Sequence, residues 1–476
     1  MESLKRHPVF GLDSRWSWIT AVSCSWCLFM GILPSRLFGL IYVGIIETFQ
    51  ASREEATWPL TAFDVVASLG CVVFGYLCRR SSCRAVLLTC SFVGPVAVIL
   101  CYFAPNVAFI TGSYGAVGGI AFSGILVGVN VVIAQHFEKR RATAFSLLFT
   151  VSGLNSFFIP PLLEYSLTEY GVRGALLILG AISFNSLPAA IILRSPPWAD
   201  PSRQRHRSAQ RPTKEEAVRW ADEKVSLTES NKADNGSVDN NGRTQLSKPA
   251  APSANANVDN SLLNIAKNFL TLRFWVDSTS FGVMYLSLAL FVMLVVDLAK
   301  GRGVSTADSV YILHAFGVGD VGCRALSGWI VDTGWISVNS LMALGFVLQG
   351  SGFFLMAYGV TLPVLLCASL LLGASIGSRM SYGSIVLILD FGVEALPIMI
   401  GGFSVVTALN GWVRAPLVGY FRDRHGSYDG LMLIMAIVSL VFVIVWESRL
   451  FIKKISQRRK KCQEVERGHV SNTTTA

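Results

Sequence analysis

Apolar residues along the chain gather into runs long enough to cross a hydrocarbon core of roughly 30 Å, which takes about 20 helical residues. Such runs start near Trp18, Pro59, Ala85, Asn106, Thr143 and Arg173, and again near Phe274, Thr306, Ser337, Thr361, Ala395 and Asp429. The pattern predicts an all-α membrane protein with twelve spanning helices in two sets of six. Between the sets, residues 195–268 are rich in Arg, Asn, Ser, Asp and Pro. They show no periodic apolar face that could bury a core, so they read as a disordered cytosolic linker rather than a folded domain. The plan is then a cytosolic segment 1–16, a first half 17–194, the linker, a second half 269–450 and a basic tail 451–476.

Composition agrees: 52% of residues are hydrophobic and 15% charged, and the mean hydropathy is +0.52. Short cytoplasmic loops collect lysine and arginine. One side of the predicted membrane receives Lys5, Arg6, Arg79, Arg80, Arg84, Lys139, Arg140, Arg141, the linker and the cluster Lys453 to Lys461. The other receives scattered bases such as Arg53, Lys300 and Arg302, partly offset by acids. Both termini are therefore expected in the cytosol. The net charge of +10 sits in juxtamembrane loops, which points to anionic membrane lipid as its partner and away from nucleic acid. The first apolar run is too long for a cleaved leader and reads as a retained helix.

Most of the ten cysteines fall inside apolar spans, where cysteine packs as a small hydrophobe, so no metal site is expected. No GxSxG elbow, HExxH, Walker loop or histidine cluster occurs, which argues against an enzyme, a cofactor and an ATP-driven pump. What remains is a gradient-driven or facilitative carrier, with a non-transporting receptor of the same fold as the alternative. Two six-helix halves joined by a polar loop look like a major-facilitator carrier, whose substrate site lies at the midplane between the halves.

The strongest chemical clue is Phe316-Gly-Val-Gly-Asp320-Val-Gly-Cys-Arg324. An ionised side chain at the bilayer centre costs roughly 2.5–3.5 kcal/mol even on lenient scales, so such charges face a partner or a water path. A spacing of four places acid and base on one helix face. Arg36, Arg379 and Arg414 add positive charge inside the bundle, which favours an anionic ligand, although pairing with acids such as Asp390 is an equal reading for the last two. Asp64 and Asp277 are candidates for charge balance, and His314 lies off the Asp320 face.

Local motifs resemble those of the monocarboxylate transporter family, the proton-linked carriers of lactate, pyruvate and related acids. His136-Phe-Glu-Lys139-Arg140-Arg141-Ala-Thr-Ala is similar to its Tyr-Phe-x-Lys-Arg-Arg-x-x-Ala stretch. Gly171-Val-Arg173-Gly174 is similar to its Gly-Trp-Arg-Gly run, and Pro416 to Tyr428 resembles the pattern closing the eleventh helix, with Asp423 at its acidic position. Before the first helix, Asp13-Ser-Arg-Trp16-Ser-Trp18 keeps the family's acid and tryptophans but not its glycines.

The resemblance implies a plasma-membrane carrier in which Arg324 holds a carboxylate and Asp320 is either a proton acceptor or the arginine's anchor. Arg36 aligns with the lysine that proton-coupled members use, and a guanidinium with a pKa above about 12 cannot give up its proton during a cycle. Arg36 can still attract an anion, and Arg379, Ser381 and Tyr382 fall near the family's substrate pocket. Lys139, Arg140, Arg141, Asp332, Arg414 and Asp423 are expected in structural or gating roles, Gly328 and Asp332 matching the superfamily's gating motif after helix eight. A facilitative carrier of amino acids or larger aromatic acids is the competing reading within the class. Some family members reach the surface with a single-pass glycoprotein chaperone, and no motif in this chain reports that need.

Overall fold

The computed structural model describes residues 11–36, 38–51, 53–194, 196, 267–304, 306–413, 417–418, 420–421 and 427–473, and every regular element among them is helical. Nearly all of the expected linker falls outside these residues, as do Arg414 and Asp423. The backbone of Arg36 is described and its side chain is not. The first half comprises α1 (Arg15–Arg36), α2 (Phe38–Phe49), α3 (Arg53–Arg80), α4 (Cys83–Leu100), α5 (Val107–Ile110), a π turn (Thr111–Val117), α6 (Gly118–His136), α7 (Arg141–Gly153), α8 (Asn155–Ser183) and α9 (Ser186–Ile192). The second comprises α10 (Leu272–Gly301), α11 (Thr306–Asp332), α12 (Val338–Tyr358), α13 (Leu362–Met380), α14 (Gly383–Phe391), α15 (Leu396–Trp412) and α16 (Asp429–Thr473). The last helix runs without a break past residue 451.

Nine helical stretches among the described residues are long and apolar enough to cross a membrane. The three other expected crossings are helical but fall short for identifiable reasons. The fifth is split at Leu154 into α7 and the start of α8. The eighth, α11, carries Asp308, Asp320, Arg324 and Asp332, and the eleventh is apolar only over Leu396–Asn410. Crossings five and six are separated inside α8 by Gly171, whose φ of 65° breaks the helix. A side chain at that φ is disfavoured, which accounts for glycine at the head of the Gly-Val-Arg-Gly motif. Arg173 then fixes the corner by donating to the Ala104 carbonyl at 2.9 Å with its guanidinium 5.6 Å from the Phe49 ring.

One buried apolar cluster runs through both halves, and a second, containing Leu33, Ile45, Tyr114 and Leu176, is confined to the first half away from its basic loops. The halves touch where α3 meets α15, α7 meets α11 and α6 meets α14. At the first contact a Cβ on Gly75 would collide with the Pro397 carbonyl, so only glycine permits the approach. At the third, Ser384 donates to Asn130 Oδ1 at 2.7 Å. All three contacts lie towards the end that carries the basic loops, so the halves are closed together there.

Candidate functional site

Asp320 lies about 18 Å along α11 from the Asp332 end at 1.5 Å per residue, close to the middle of a helix of 27 residues. Helical spacing brings Arg324 over it. Arg324 Nη2 donates to both Oδ1 and Oδ2 of Asp320 at 2.5 Å each. Arg324 is buried and the Asp320 side chain is 15% exposed, so the acid keeps limited access to water while its opposite charge is shielded. Arg324 Nη1 crosses to the other half and donates to the Phe149 carbonyl at 3.1 Å, while Nε is buried without a hydrogen-bond partner. Phe149 lies one turn before the end of α7 at Gly153. A Cβ on Gly153 would stand 3.3 Å from Nη1, so the small residue makes room for the arginine.

The same two helices are joined towards the basic-loop end. Ser146 Oγ donates to the Arg324 carbonyl at 2.9 Å; within the second half, Tyr382 Oη, just before α14, donates to the Ser327 carbonyl of α11 at 2.8 Å. Asp332 accepts from Ala142 N at 3.2 Å, Thr143 N at 2.7 Å and Thr143 Oγ1 at 2.6 Å. These are unpaired donors of the first turn of α7, a position where a carboxylate is favoured. Asp13, at a φ of 53°, caps the preceding residues by accepting from the backbone of Glu138, Lys139 and Arg140 at 2.9–3.2 Å. Two carboxylates therefore bracket the Lys139-Arg140-Arg141 turn, Asp13 through the backbone of residues 138–140 and Asp332 through Ala142 and Thr143 just after it. Arg141 adds bonds to the Phe137 and Ala134 carbonyls at 3.0 and 3.4 Å. Burial lowers its guanidinium from the usual value, opposed by Glu138, Asp13 and Asp332. The signature tryptophans brace the same corner: Trp18 packs edge-on to Phe137 at 5.1 Å, and Arg194 lies 5.2 Å from the Trp16 ring.

Other expected site residues are placed elsewhere. Gly377 of α13 lies against the Asp320 carbonyl, and Arg379, two residues on, points roughly 200° around the helix. It is fully buried against α12, donating to the Ser375 carbonyl at 3.0 Å, to Ser375 Oγ at 2.7 Å and to Gln349 Oε1 at 2.5 Å. Its guanidinium lies 4.1 Å from the Phe346 ring. Arg379 thus packs within the second half, away from Arg324, and Asp390 pairs with Arg449 rather than with it. Ser381 is buried with its hydroxyl unpartnered. His314 and Asp64 are exposed. The Phe149 carbonyl and Arg449 escaped sequence reasoning: a main-chain acceptor has no residue signature, and Arg449 reads as the first of the juxtamembrane bases.

The Major Facilitator Superfamily model matches residues 21–409. Monocarboxylate transporter 9 of Gallus gallus is 23% identical over 454 residues, covering 88% of this chain and 89% of that protein. Monocarboxylate transporter 11 of Homo sapiens is 24% identical over 451 residues, with coverages of 89% and 80%. Among solved structures, the transporter FucP in its outward conformation aligns with a TM-score of 0.64 at 13% identity, covering 91% of this chain and 99% of that one. The proton:xylose symporter XylE aligns with a TM-score of 0.65 at 13% identity, with coverages of 90% and 94%.

Proposed function

Since the chain belongs to the major facilitator superfamily, a family of multi-pass transporters rather than enzymes, we propose that it carries a small monocarboxylate or related organic anion across the plasma membrane by alternating access, with both termini in the cytosol. Arg324 is the carboxylate clamp and Asp320 the counter-ion that a proton releases. The observation that carries this reading is the buried Asp320–Arg324 pair at mid-helix, bonded across to the opposite half.

Charge balance supplies the mechanism. An anion entering beside a neutral buried pair leaves the site with a net negative charge, which a low dielectric disfavours. A proton on Asp320 restores neutrality and weakens its hold on Nη2. A carboxylate can then take the freed edge of the guanidinium, with Nε and Nη2 as a two-pronged donor. Arg36 contributes long-range attraction, because its guanidinium does not titrate. The Arg324–Phe149 bond couples binding to motion: a guanidinium that turns to the substrate gives up its hold on α7, loosening the contact that closes the basic-loop end. The named relatives, monocarboxylate transporters, support the carboxylate, and the symporter XylE supports a coupled proton.

Uptake of labelled lactate, pyruvate and aromatic acids into oocytes tests the reading. Arg324→Ala should abolish uptake at normal surface expression. Arg324→Lys, which keeps the charge and loses the fork, should cut it by roughly 10- to 100-fold. Absence of flux for every acid in the surface-expressed wild type refutes transport of an organic anion.

A further inference from the structure

A second buried charge cluster lies at the basic-loop end of the second half, separate from Asp320 and Arg324. Asp277 of α10 is fully buried and accepts from Arg449 Nη1 of α16 through Oδ1. Asp390, near the end of α14, accepts from Nη2 of the same guanidinium. Trp446 closes the cluster, with the guanidinium 4.7 Å from its ring and its indole N–H donating to Ser280 Oγ at 3.2 Å. Two carboxylates thus share one cation. Asp277 Oδ2 is buried with no hydrogen-bond partner, and the two carboxyl groups are held side by side on the two terminal nitrogens of one guanidinium. Other charged groups on the surrounding elements, Arg273 of α10, Glu394 before α15 and Glu447 of α16, are exposed.

Asp277 is shut away from water while Asp390 and Arg449 are partly exposed; at the buried carboxyl an unmatched negative charge and an orphaned oxygen are both disfavoured, and one small cation cures both. A metal ion needs about four or more ligands, whereas here a single oxygen is unmatched; the ligand that fits is a proton. We propose that Asp277, Asp390 and Arg449 form a proton-binding site, with the proton on Asp277 Oδ2 donated towards Asp390, and that its occupancy holds the turn between α14 and α15 against the first half. The proton comes from water at the basic-loop side, adding one O–H bond and breaking no other bond in the protein. Asp390 stands two residues before Gly392, whose φ is 85°. From there the chain runs directly into Pro397 and Gly401, which lie against Gly75 and Val72 of α3. Loss of the proton leaves like charges on α10 and α14, pushing Asp390 outwards and loosening the α3–α15 contact.

The full-length protein in lipid nanodiscs provides two readouts. In the Asp320→Asn background, infrared spectra at neutral pH should show the carbonyl band of a protonated carboxylic acid, shifted in heavy water and lost on adding Asp277→Asn. Should that variant fail to fold, Asp390→Ala should move the band by removing its acceptor. Cys71 reports the contact directly, since it is buried on α3 beside Gly401, and Cys367 is exposed. The ratio of Cys71 to Cys367 alkylation should rise by up to about tenfold per pH unit below the midpoint in wild type, levelling off above it, and rise less in Asp277→Asn. Absence of the band, or an equal rise in both proteins, overturns the proposal.

Discussion

Replacing Asp332 with alanine removes the carboxylate that joins the second half to the start of α7. Three hydrogen bonds of 2.6–3.2 Å end on it, and a bond to a charged group contributes about 1.5–3 kcal/mol. The three are not additive, because water can reach part of the freed helix end. The favourable placement of a negative charge at a helix N-terminus adds about 0.3–1 kcal/mol. A net loss of about 3 kcal/mol follows, so a form closed at the basic-loop end by roughly 99 to 1 would become about evenly closed and open. Spin labels on exposed Lys139 and Thr333, with Cys323, Cys367 and Cys462 replaced by serine, would follow the separation by pulsed electron resonance. Wild type should give one short distance and Asp332→Ala a second, longer population. Identical distributions would refute the reasoning that this carboxylate helps hold the halves together.

Asp320→Asn should retain some anion uptake and lose its dependence on external pH, measured as initial rates at acid and neutral pH; an unchanged pH profile would move the proton elsewhere. Gly345→Ala should lower thermal stability by about 1–3 kcal/mol through overpacking, because its Cβ would stand 2.5 Å from Arg379 Nε; an unshifted melting curve would contradict the placement of Arg379 against α12. Gly171→Ala should destabilise the corner between crossings five and six by about 1–2 kcal/mol, because a side chain is strained at its φ of 65°; an unshifted curve in the same melting assay would contradict this.

Helical periodicity made much of the site legible beforehand. A spacing of four placed Asp320 and Arg324 on one face, and they bond; the Gly171 motif was legible only as a resemblance, and its positive φ emerged with the structure. Direction around a helix was harder to read. Arg379 resembled a pocket residue because Ser381 and Tyr382 follow it, yet Gly377 fixes which face meets α11, and Arg379 must then point the other way. The basic motif at Lys139 to Arg141 drew attention to its side chains, whereas Asp13 is bonded by the backbone N–H groups of residues 138–140 and Asp332 mainly by those of Ala142 and Thr143. Backbone donors and acceptors are common to nearly every residue type, so their partners emerge only once the helices are packed. Arg449 was hidden differently: its two acids come from α10 and α14, far away in sequence.

In the proposed cycle Arg324 holds a carboxylate while a proton neutralises Asp320. Intracellular pH recorded in oocytes during addition of a labelled monocarboxylate tests both halves at once. The account predicts acidification that tracks uptake in wild type, with both signals lost in Arg324→Ala at equal surface expression. Uptake by Arg324→Ala equal to wild type, or uptake by wild type without acidification, would contradict it.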